Sequence, residues 1–231
     1  MISFSQKKEI FGVFLVSIVL SFFLFGNVIK GKFVGDDDQV VNSRADLRNL
    51  KNIPAFFTSS AYPGQASVGL YRPLTLFSYA FNFAFSSKPA GFHVLNIFLH
   101  AFNVVLVFLI TRRFTASKRV AYLSSLLFLF LPIHAEAVSS IVGRSELLSV
   151  FFVLLSFLLF LESKHIWASL AFLCALLSKE FAVILLPLIG LLLLIEVVEA
   201  KKLEPRGQAR SAVSYGQTWR LARGAESSPR R

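Results

Sequence analysis

The sequence of 231 residues is poor in cysteine and in charged residues. Its single cysteine, Cys174, lies within an apolar run, which excludes an intrachain disulfide and a zinc site built from cysteines. Only 16% of the residues are charged, and the basic excess is concentrated in residues 201–231, which hold eight Lys or Arg against Glu204 and Glu226. A terminal run of this kind argues against a folded nucleic-acid-binding domain, so we expect no nucleic acid partner.

Apolar residues are abundant instead. They make up 55% of the chain, which contains 26 phenylalanines, and the mean hydropathy is +0.65. A composition of this kind is typical of an integral membrane protein, and about twenty apolar residues in a helix cross a bilayer. The apolar runs cover residues 10–28, 93–111, 120–142, 147–161, 166–177 and 181–198. We therefore predict an all-α fold, a polytopic transmembrane helix bundle of about six spanning helices.

The basic residues in the short connections predict the orientation of this bundle. When six helices alternate, the connections on one side carry Lys7, Lys8, Arg112, Arg113, Lys118, Arg119, Lys164, Lys201 and Lys202. That side, with the N-terminus, is predicted to be cytoplasmic. The other side receives the long loop 29–92 and the polar stretches 132–146 and 178–180. We predict a membrane domain over residues 1–200 and a basic, disordered cytoplasmic tail over residues 201–231.

The long loop contains two segments that predict helices. Residues 41–57 place Leu47, Leu50, Ile53 and Phe57 at helical spacing. Residues 74–85 are apolar but span only about 18 Å as a helix, which is too short to cross a bilayer. We expect both segments to be helices that lie at the membrane surface.

An acidic motif follows the first apolar run. Asp36, Asp37 and Asp38 come eight residues after it, so they are predicted to lie near the membrane surface. A partly desolvated carboxylate at such a place can act as a general base on a hydroxyl group. A solvated acidic turn or a weak cation site is the alternative interpretation.

A polar stripe marks the second long apolar run. His93, Asn96, His100 and Asn103 are three, four and three residues apart, which places them on one face of a helix. That face is predicted to look into the bundle, where the side chains either line a cavity or form hydrogen bonds between helices.

Residues 132–146, PIHAEAVSSIVGRSE, place charged residues between two apolar runs. His134 and Glu136 do not form an HExxH motif, so we favour partly buried ion pairs over a metal site. On the same predicted side, three cations are candidates to bind a lipid phosphate, and anchors that reach the interface are the alternative. These cations are Arg72, Arg144 and Lys179.

Five motifs in order resemble a known family. They are FVGDDDQVVN, LYRPLTLFSYAFNFAF, GFHVLNIFLHAFN, LPIHAEAVSSIVGRSELLSVFF and CALLSKEFAVILLP, within roughly residues 10–195. In this order they resemble the N-terminal membrane part of the transmembrane and tetratricopeptide-repeat O-mannosyltransferases and their bacterial relatives, which are C-type (GT-C) glycosyltransferases. The resemblance implies a multi-pass bundle with surface helices in the first external loop.

The resemblance also implies an activity. It is the transfer of a sugar, typically mannose, from a polyprenyl-phosphate donor in the membrane to a Ser or Thr hydroxyl of an acceptor protein on the non-cytoplasmic side. No cofactor and no divalent metal are expected. The family's paired acidic residues fall on Asp36 and Asp37, and the donor-phosphate-binding cations are assigned to Arg72, Arg144 and Lys179. The residues assigned to line the cavity are His93, His100, His134, Glu136, Glu146 and Glu180.

The chain departs from the family pattern after its sixth apolar run, where family members continue with further spanning helices and a repeat array. We therefore expect the N-terminal part of such an enzyme, either as a truncated product or as one of two chains. Alternatives are a non-catalytic membrane protein, such as a transporter subunit or a lipid-phosphate binder, and an inactive fragment. Because the polar residues are confined to one side of the predicted membrane bundle, the pattern favours a transferase over a transport path. The membrane is expected to be the plasma membrane in a bacterium and the endoplasmic reticulum in a eukaryote.

Overall fold

A computed structural model describes residues 4–61, 70–115 and 117–203, and this part of the chain contains helices and turns but no strand. The all-α prediction is confirmed. The helices are α1 (Phe4–Phe25), α2 (Ile53–Phe56), α3 (Pro73–Phe85), α4 (Pro89–Thr115), α5 (Lys118–Phe130), α6 (Ala135–Ser139), α7 (Arg144–Leu161), α8 (His165–Ser178) and α9 (Leu185–Leu203). Residues 204–231, most of the predicted tail, lie outside the described residues.

Three helical segments are long and apolar enough to cross a membrane. They are Lys7–Lys30, Pro89–Thr115 and Arg144–Leu161, and a fourth span exists if the bent pair Lys118–Phe130 and Pro132–Ser139 crosses as one unit. The apolar helices His165–Ser178 and Glu180–Ile195 are shorter. These helices form a membrane helix bundle, as predicted, and the expected number of six spans stays a prediction.

Helix α4 lies at the centre of the bundle. It contacts α1, α5 and α7, and its buried side chains belong to separate apolar clusters. Near one end, Val105 and Phe108 pack with Val13 of α1 and Ala121 of α5. Near the other end, Ile97 packs with residues of α6 and α7. A helix in contact on several sides carries apolar residues around its circumference, which is why α4 lacks a strong amphipathic pattern.

The apolar run 120–142, which we expected to form one helix, is divided in two. Helix α5 ends at Phe130, and Leu131 adopts the extended conformation that residues before proline prefer. Pro132 starts a short 3-10 turn that leads into α6, and the two parts meet at 50°. The Pro132 ring cannot continue a helix, because it lacks an N–H group and clashes with the preceding turn.

The loop segment 41–57 is not the single helix that the spacing predicted. It consists of short helical turns, and Leu50 and Phe57 are both 45% exposed although Leu47 is buried. The turns are separated because Arg44 is extended and forms side-chain hydrogen bonds with Asp46 and with the carbonyl of Ala61. The Arg44 guanidinium thereby holds the pKa of Asp46 below its usual value.

The second loop segment is a helix, as predicted. Helix α3 begins at Pro73, whose fixed φ and missing N–H suit the first helical position. Its buried face carries Leu76, Tyr79 and Ala80, which pack with Phe92 of α4 and with residues of the loop that contains Asp36, Asp37 and Asp38, called the acidic loop below. Helix α3 therefore joins the loop that follows α1 to the spanning helices.

Candidate functional site

The three aspartates of the acidic loop have different surroundings. Gly35 has a positive φ of 57°, a conformation that favours glycine, and it turns the chain into this motif. Asp36 is exposed, whereas Asp37 is 4% exposed. The Oδ1 atom of Asp37 accepts hydrogen bonds from the backbone N–H of Val142 at 2.9 Å and from the hydroxyl of Ser140 at 3.3 Å.

Among the residues that the structure describes, Asp38 bonds only within its own turn. Its carboxylate accepts hydrogen bonds from Asn42 at 2.7 Å and from Ser43 at 3.4 Å, and the residue is exposed. Asp37, in contrast, is hydrogen-bonded to the connection between α6 and α7. The buried carboxylate of Asp37 thus attaches the loop that follows α1 to the bundle, and Asp36 stands beside it at the surface.

Arg144 is the largest fully buried side chain in the described residues. Its Nε donates to the Oδ1 atom of Asn96 at 2.7 Å, and its Nη2 donates to Asn82 at 3.2 Å and to the carbonyl of Phe92 at 2.8 Å. Its Nη1 reaches the carbonyl of Ser78 at 3.5 Å. The guanidinium therefore joins α3, α4 and α7 through neutral oxygens, and its planar fork is suited to several such bonds at once.

Gly143 allows the backbone to pass close to α6 immediately before Arg144. A Cβ atom added at Gly143 would lie 2.3 Å from the carbonyl oxygen of Ala137, well inside any normal contact distance. The φ angle of Gly143 is −59°, so space and not backbone conformation requires the glycine. This close approach sets the position of the 140–142 connection that holds Asp37.

The predicted cations Arg72 and Lys179 form two ion pairs near the start of α3 and the end of α8. Arg72 makes a two-pronged contact with Glu180, at 3.1 and 2.6 Å, and Lys179 contacts Glu146 at 2.6 Å. The cations are 14% and 16% exposed, and the carboxylates are 50% and 49% exposed. The hydrogen bond from Arg72 is the main reason that the pKa of Glu180 lies below its usual value.

A small void lies between Arg72 of the first ion pair and the connection between α6 and α7. Arg72 and Val142 both line it, and Val142 is the residue whose N–H binds Asp37. Beside the second ion pair, Lys179 and Glu146 border a groove of about 340 Å³. The apolar residues of this groove are Val150, Val153, Phe181, Ala182 and Ile184.

The predicted cavity-lining histidines fall into two places. His93 is 3% exposed and lies close enough to Asp37 and Arg144 to interact with their charges. His100 lies deeper in the bundle, and its ring is 5.3 Å from the ring of His134. Among the described residues, no hydrogen-bond partner of normal geometry reaches the buried ring nitrogens of His93 and His100 or Nε2 of His134.

The structure thus brings most of the predicted residues to one end of the bundle. Glu136 is exposed and contributes none of the contacts described above. Among the residues that the structure describes, no group of three or more His, Cys, Asp or Glu is placed to hold a metal ion. The predicted roles in catalysis, donor binding and cavity lining, and the predicted lack of a metal, stay predictions.

Sequence reasoning missed the partners of the charged residues. Asn82 binds Arg144, and Ser140 binds Asp37, but neither was singled out. The signal for Asn82 was present, since it is a polar side chain in an otherwise apolar helix. Asn96 was recognised as part of the α4 stripe, and its Oδ1 atom binds Arg144 while its Nδ2 group donates to the Ser140 carbonyl at 2.8 Å.

Comparison with known proteins gives a consistent result. Residues 59–221 match the family described as dolichyl-phosphate-mannose-protein mannosyltransferase. The chain is 32% identical over 186 residues to protein O-mannosyl-transferase Tmtc1 of Drosophila melanogaster, covering 74% of this chain and 21% of that protein. It is 35% identical over 155 residues to TMTC3 of Mus musculus, covering 65% of this chain and 16% of the relative.

A third relative, TMTC4 of Homo sapiens, is 33% identical over 153 residues, which cover 58% of this chain and 21% of that protein. The chain therefore spans between 16% and 21% of the length of these relatives. No solved structure matches the sequence significantly. The family match begins after the acidic loop and includes α3 to α9, so Arg72, Arg144 and Lys179 lie within it. By this match the chain belongs to the dolichyl-phosphate-mannose-protein mannosyltransferase family.

Proposed function

We propose that this chain is the N-terminal membrane part of a glycosyltransferase that moves mannose from a polyprenyl-phosphate donor to Ser or Thr hydroxyls of proteins. The observation that carries the proposal is the buried carboxylate of Asp37. Its bonds to Ser140 and Val142 bring the acidic loop to the end of the bundle that also holds Arg72 and Lys179. A base for the acceptor and cations for the donor then stand at one membrane surface.

We assign the general base to Asp36 and a positioning role to Asp37. Asp36 is exposed and able to meet an acceptor, whereas one oxygen of Asp37 already accepts two hydrogen bonds. In the reaction, the acceptor hydroxyl oxygen forms a bond to the anomeric carbon of mannose. The bond from that carbon to the phosphate oxygen breaks, and the hydroxyl proton passes to Asp36. The polyprenyl phosphate leaves with the bonding electron pair.

Arg72 and Lys179 are the cations proposed to stabilise the leaving phosphate. Arg72 already binds the two oxygens of a carboxylate, and a phosphate presents the same geometry to a guanidinium. A donor phosphate would replace Glu180 or Glu146 as their partner, and both carboxylates are half-exposed and free to turn towards water. The negative charge that develops on the phosphate is then matched by two side-chain cations.

Arg144 contributes to this site in a different way. Contact between its guanidinium and a donor phosphate would require the bonds to Asn96, Asn82 and Phe92 to open. We propose that it instead fixes α3 against α4 and α7, so that Arg72, immediately before α3, faces Glu180, and Lys179 faces Glu146. His93 lies close enough to both Arg144 and Asp37 to interact with their charges, and we include it in the same support.

The groove beside Lys179 is proposed to take the first part of the polyprenyl chain. Its walls are mainly apolar, and Lys179 stands at its edge. A donor with its tail in the bilayer and its head in water needs this combination of an apolar groove and a cation. We place this end of the bundle on the non-cytoplasmic side, because the opposite end carries Lys7, Lys8 and the basic connection between α4 and α5.

Transfer of labelled mannose from a polyprenyl phosphomannose to a Ser/Thr peptide by the reconstituted chain tests the base. We expect Asp36→Asn to lower the rate by about 10² to 10⁴, the usual contribution of a general base. Asp38→Asn is the matched control, because Asp38 is an exposed neighbour whose carboxylate bonds to Asn42 and Ser43 of its own turn. Unchanged transfer by Asp36→Asn would remove Asp36 from the mechanism.

Binding of the donor to vesicles that contain the reconstituted chain tests the cations independently of the transfer step. We expect Arg72→Gln and Lys179→Gln to weaken binding of the polyprenyl phosphate, whereas Lys51→Gln, an exposed lysine in the loop, should not. Donor binding without any transfer by the wild type would instead identify a non-catalytic lipid-phosphate binder.

A further inference from the structure

One buried hydrogen bond joins the two segments that carry the proposed donor cations. Thr75, in the first turn of α3, donates from its Oγ1 atom to the carbonyl oxygen of Ser178 at 2.9 Å. Both residues are buried, and they are 103 positions apart in the sequence. The bond therefore fixes the start of α3 against the end of α8.

The carbonyl group of Ser178 cannot be satisfied within α8. Ser178 is the last residue of that helix, and the last four carbonyl groups of a helix have no partner inside it. The chain is extended at Lys179, whose N–H donates to the carbonyl of Ala175 at 3.0 Å, and a 3-10 turn starts at Glu180. The Thr75 hydroxyl thus holds the helix end immediately before Lys179 and Glu180.

Thr75 also follows Arg72 within one helical turn. Arg72 directly precedes α3, and its carbonyl accepts a hydrogen bond from the N–H of Leu76 at 3.1 Å. Arg72 and Thr75 line the same small void. The ion pair of Arg72 with Glu180 and the hydrogen bond of Thr75 therefore connect the same two segments of the chain.

These two connections respond differently to the proposed donor. A phosphate that binds Arg72 displaces Glu180, so the ion pair is lost when the donor enters. The bond from Thr75 to Ser178 uses neither a cation nor a carboxylate, so the phosphate does not compete for it. It is also shielded from water, because both residues are buried. The hydroxyl therefore keeps the two segments together after the ion pair has opened.

We propose that Thr75 is a positioning residue of the donor site, which holds Arg72 and Lys179 in place for one donor phosphate. This inference rests on the proposed function, since it takes these two cations as the donor's partners. Groups that are fixed before binding lose less conformational freedom when the ligand arrives. Loss of the hydroxyl should therefore weaken donor binding even though Thr75 does not contact the donor.

Binding of a polyprenyl phosphate to vesicles that contain the reconstituted chain is the first measurement. We expect Thr75→Val, which keeps the branched shape, to weaken binding roughly fivefold, the effect of one ordinary hydrogen bond. Thr75→Ser keeps the hydroxyl and should bind the donor nearly as well as the wild type. In the transfer assay Thr75→Val should raise the KM for the donor and leave kcat nearly unchanged.

Ser156→Ala is the matched control. The hydroxyl of Ser156 also donates to a buried backbone carbonyl of α8, that of Ala168 at 2.8 Å. This bond lies about 15 Å along α8 from Ser178, at 1.5 Å per residue. Its loss should lower the melting temperature much as Thr75→Val does, without a change in donor binding.

The pKa of Glu180 gives a readout that needs no donor. The hydrogen bond from Arg72 holds this pKa below its usual value. In the full chain with labelled glutamate carboxyl groups, NMR should show the pKa of Glu180 rising towards its usual value in Thr75→Val. It should stay low in Ser156→Ala, and Glu180→Gln identifies the signal.

Unchanged donor binding by Thr75→Val would overturn the proposal, and so would an equal loss of binding in Ser156→Ala. If the wild type binds no polyprenyl phosphate, the proposed function itself fails. The pKa of Glu180 in Thr75→Val would then still decide whether Thr75 sets the position of Arg72.

Discussion

At one end of the bundle charged side chains are buried and held by directed bonds, whereas at the other end they are mostly exposed. Arg144 and Asp37 contact named oxygens and N–H groups of the protein. Lys7 and Lys8 extend from the first turns of α1 into the surroundings. Burying a charge is costly unless every polar atom is satisfied, so the first arrangement tolerates little change and the second tolerates much.

Charged side chains therefore have different roles at the two ends of the bundle. Buried charges at the proposed donor end fix the relative positions of helices and loops. Exposed charges at the basic end, by contrast, are of the kind that the positive-inside rule associates with orientation in the membrane, and they fix no internal geometry. Substitutions at the two ends are therefore expected to differ in size and in kind.

The largest effect is expected for Arg144→Met. The substitution leaves the oxygens of Asn96, Asn82 and Phe92 buried without their donor, at a cost of about 4 kcal/mol in the free energy of unfolding. Arg144→Lys should recover little, because a single ammonium group cannot reach three separated acceptors. Unfolding in detergent, followed by circular dichroism, measures the change.

Lys118→Gln at the basic end is the control for Arg144→Met. Lys118 is 57% exposed and its ion pair with Glu9 should contribute less than about 1 kcal/mol. Equal losses of stability at the two positions would contradict the distinction between the ends. Normal stability with lost donor binding in Arg144→Met would instead support the direct phosphate contact that the sequence predicted.

Gly143→Ala is expected to destabilise the fold by about 2 kcal/mol, because the new methyl group would overlap the carbonyl of Ala137. Gly190→Ala is the matched control and should be neutral or stabilising, since alanine is the better helix former and the site is open. A melting curve for each variant tests the pair. Similar melting temperatures would show that α6 moves away without cost.

Asp37→Ala is expected to cost about 1.5 kcal/mol, because the N–H of Val142 loses its acceptor. Asp37→Asn keeps an acceptor at the same place and should recover most of that loss. Hydrogen exchange at Val142 is the sharper measurement, since exchange there should rise in Asp37→Ala and stay slow in Asp37→Asn. The same two variants distinguish a positioning residue from the general base. If Asp37 positions the loop, the uncharged but stable Asp37→Asn should keep mannose transfer and the less stable Asp37→Ala should lose it.

The smallest effect concerns the pH dependence of the Arg72 and Glu180 pair. Since the folded state lowers the pKa of Glu180, the stabilisation is complete above the ordinary value of 4.5 and is lost as the pH falls through the lower folded-state pKa. Glu180→Gln should therefore be slightly less stable than the wild type at neutral pH. The expected loss in the free energy of unfolding is less than about 1 kcal/mol, because Glu180 is half-exposed. At acid pH the stabilities of the variant and the wild type should become equal. A difference that persists there would point to packing and not to the ion pair.

Local patterns predicted much of the fold. The apolar runs gave the membrane class and the positions of α1, α4 and α7, and the weakly polar run 74–85 gave α3. The spacing of apolar residues in 41–57 wrongly predicted one helix, because side-chain hydrogen bonds of Arg44 interrupt that segment. A hydrophobic pattern does not indicate such bonds. Pro132 was visible in the sequence, and it explains why the run 120–142 is divided.

By itself the sequence determined the helical membrane class, the separation of basic from mixed polar connections, the family resemblance and the identity of the charged residues. Each of these follows from composition or from residues that are neighbours along the chain. Only the tertiary structure decided that Asp37 is buried and Asp36 exposed, that Arg144 faces neutral oxygens, and that Arg72 pairs with Glu180. Those contacts join residues from 48 to 108 positions apart, and whether a charge is desolvated depends on such neighbours and not on its own segment.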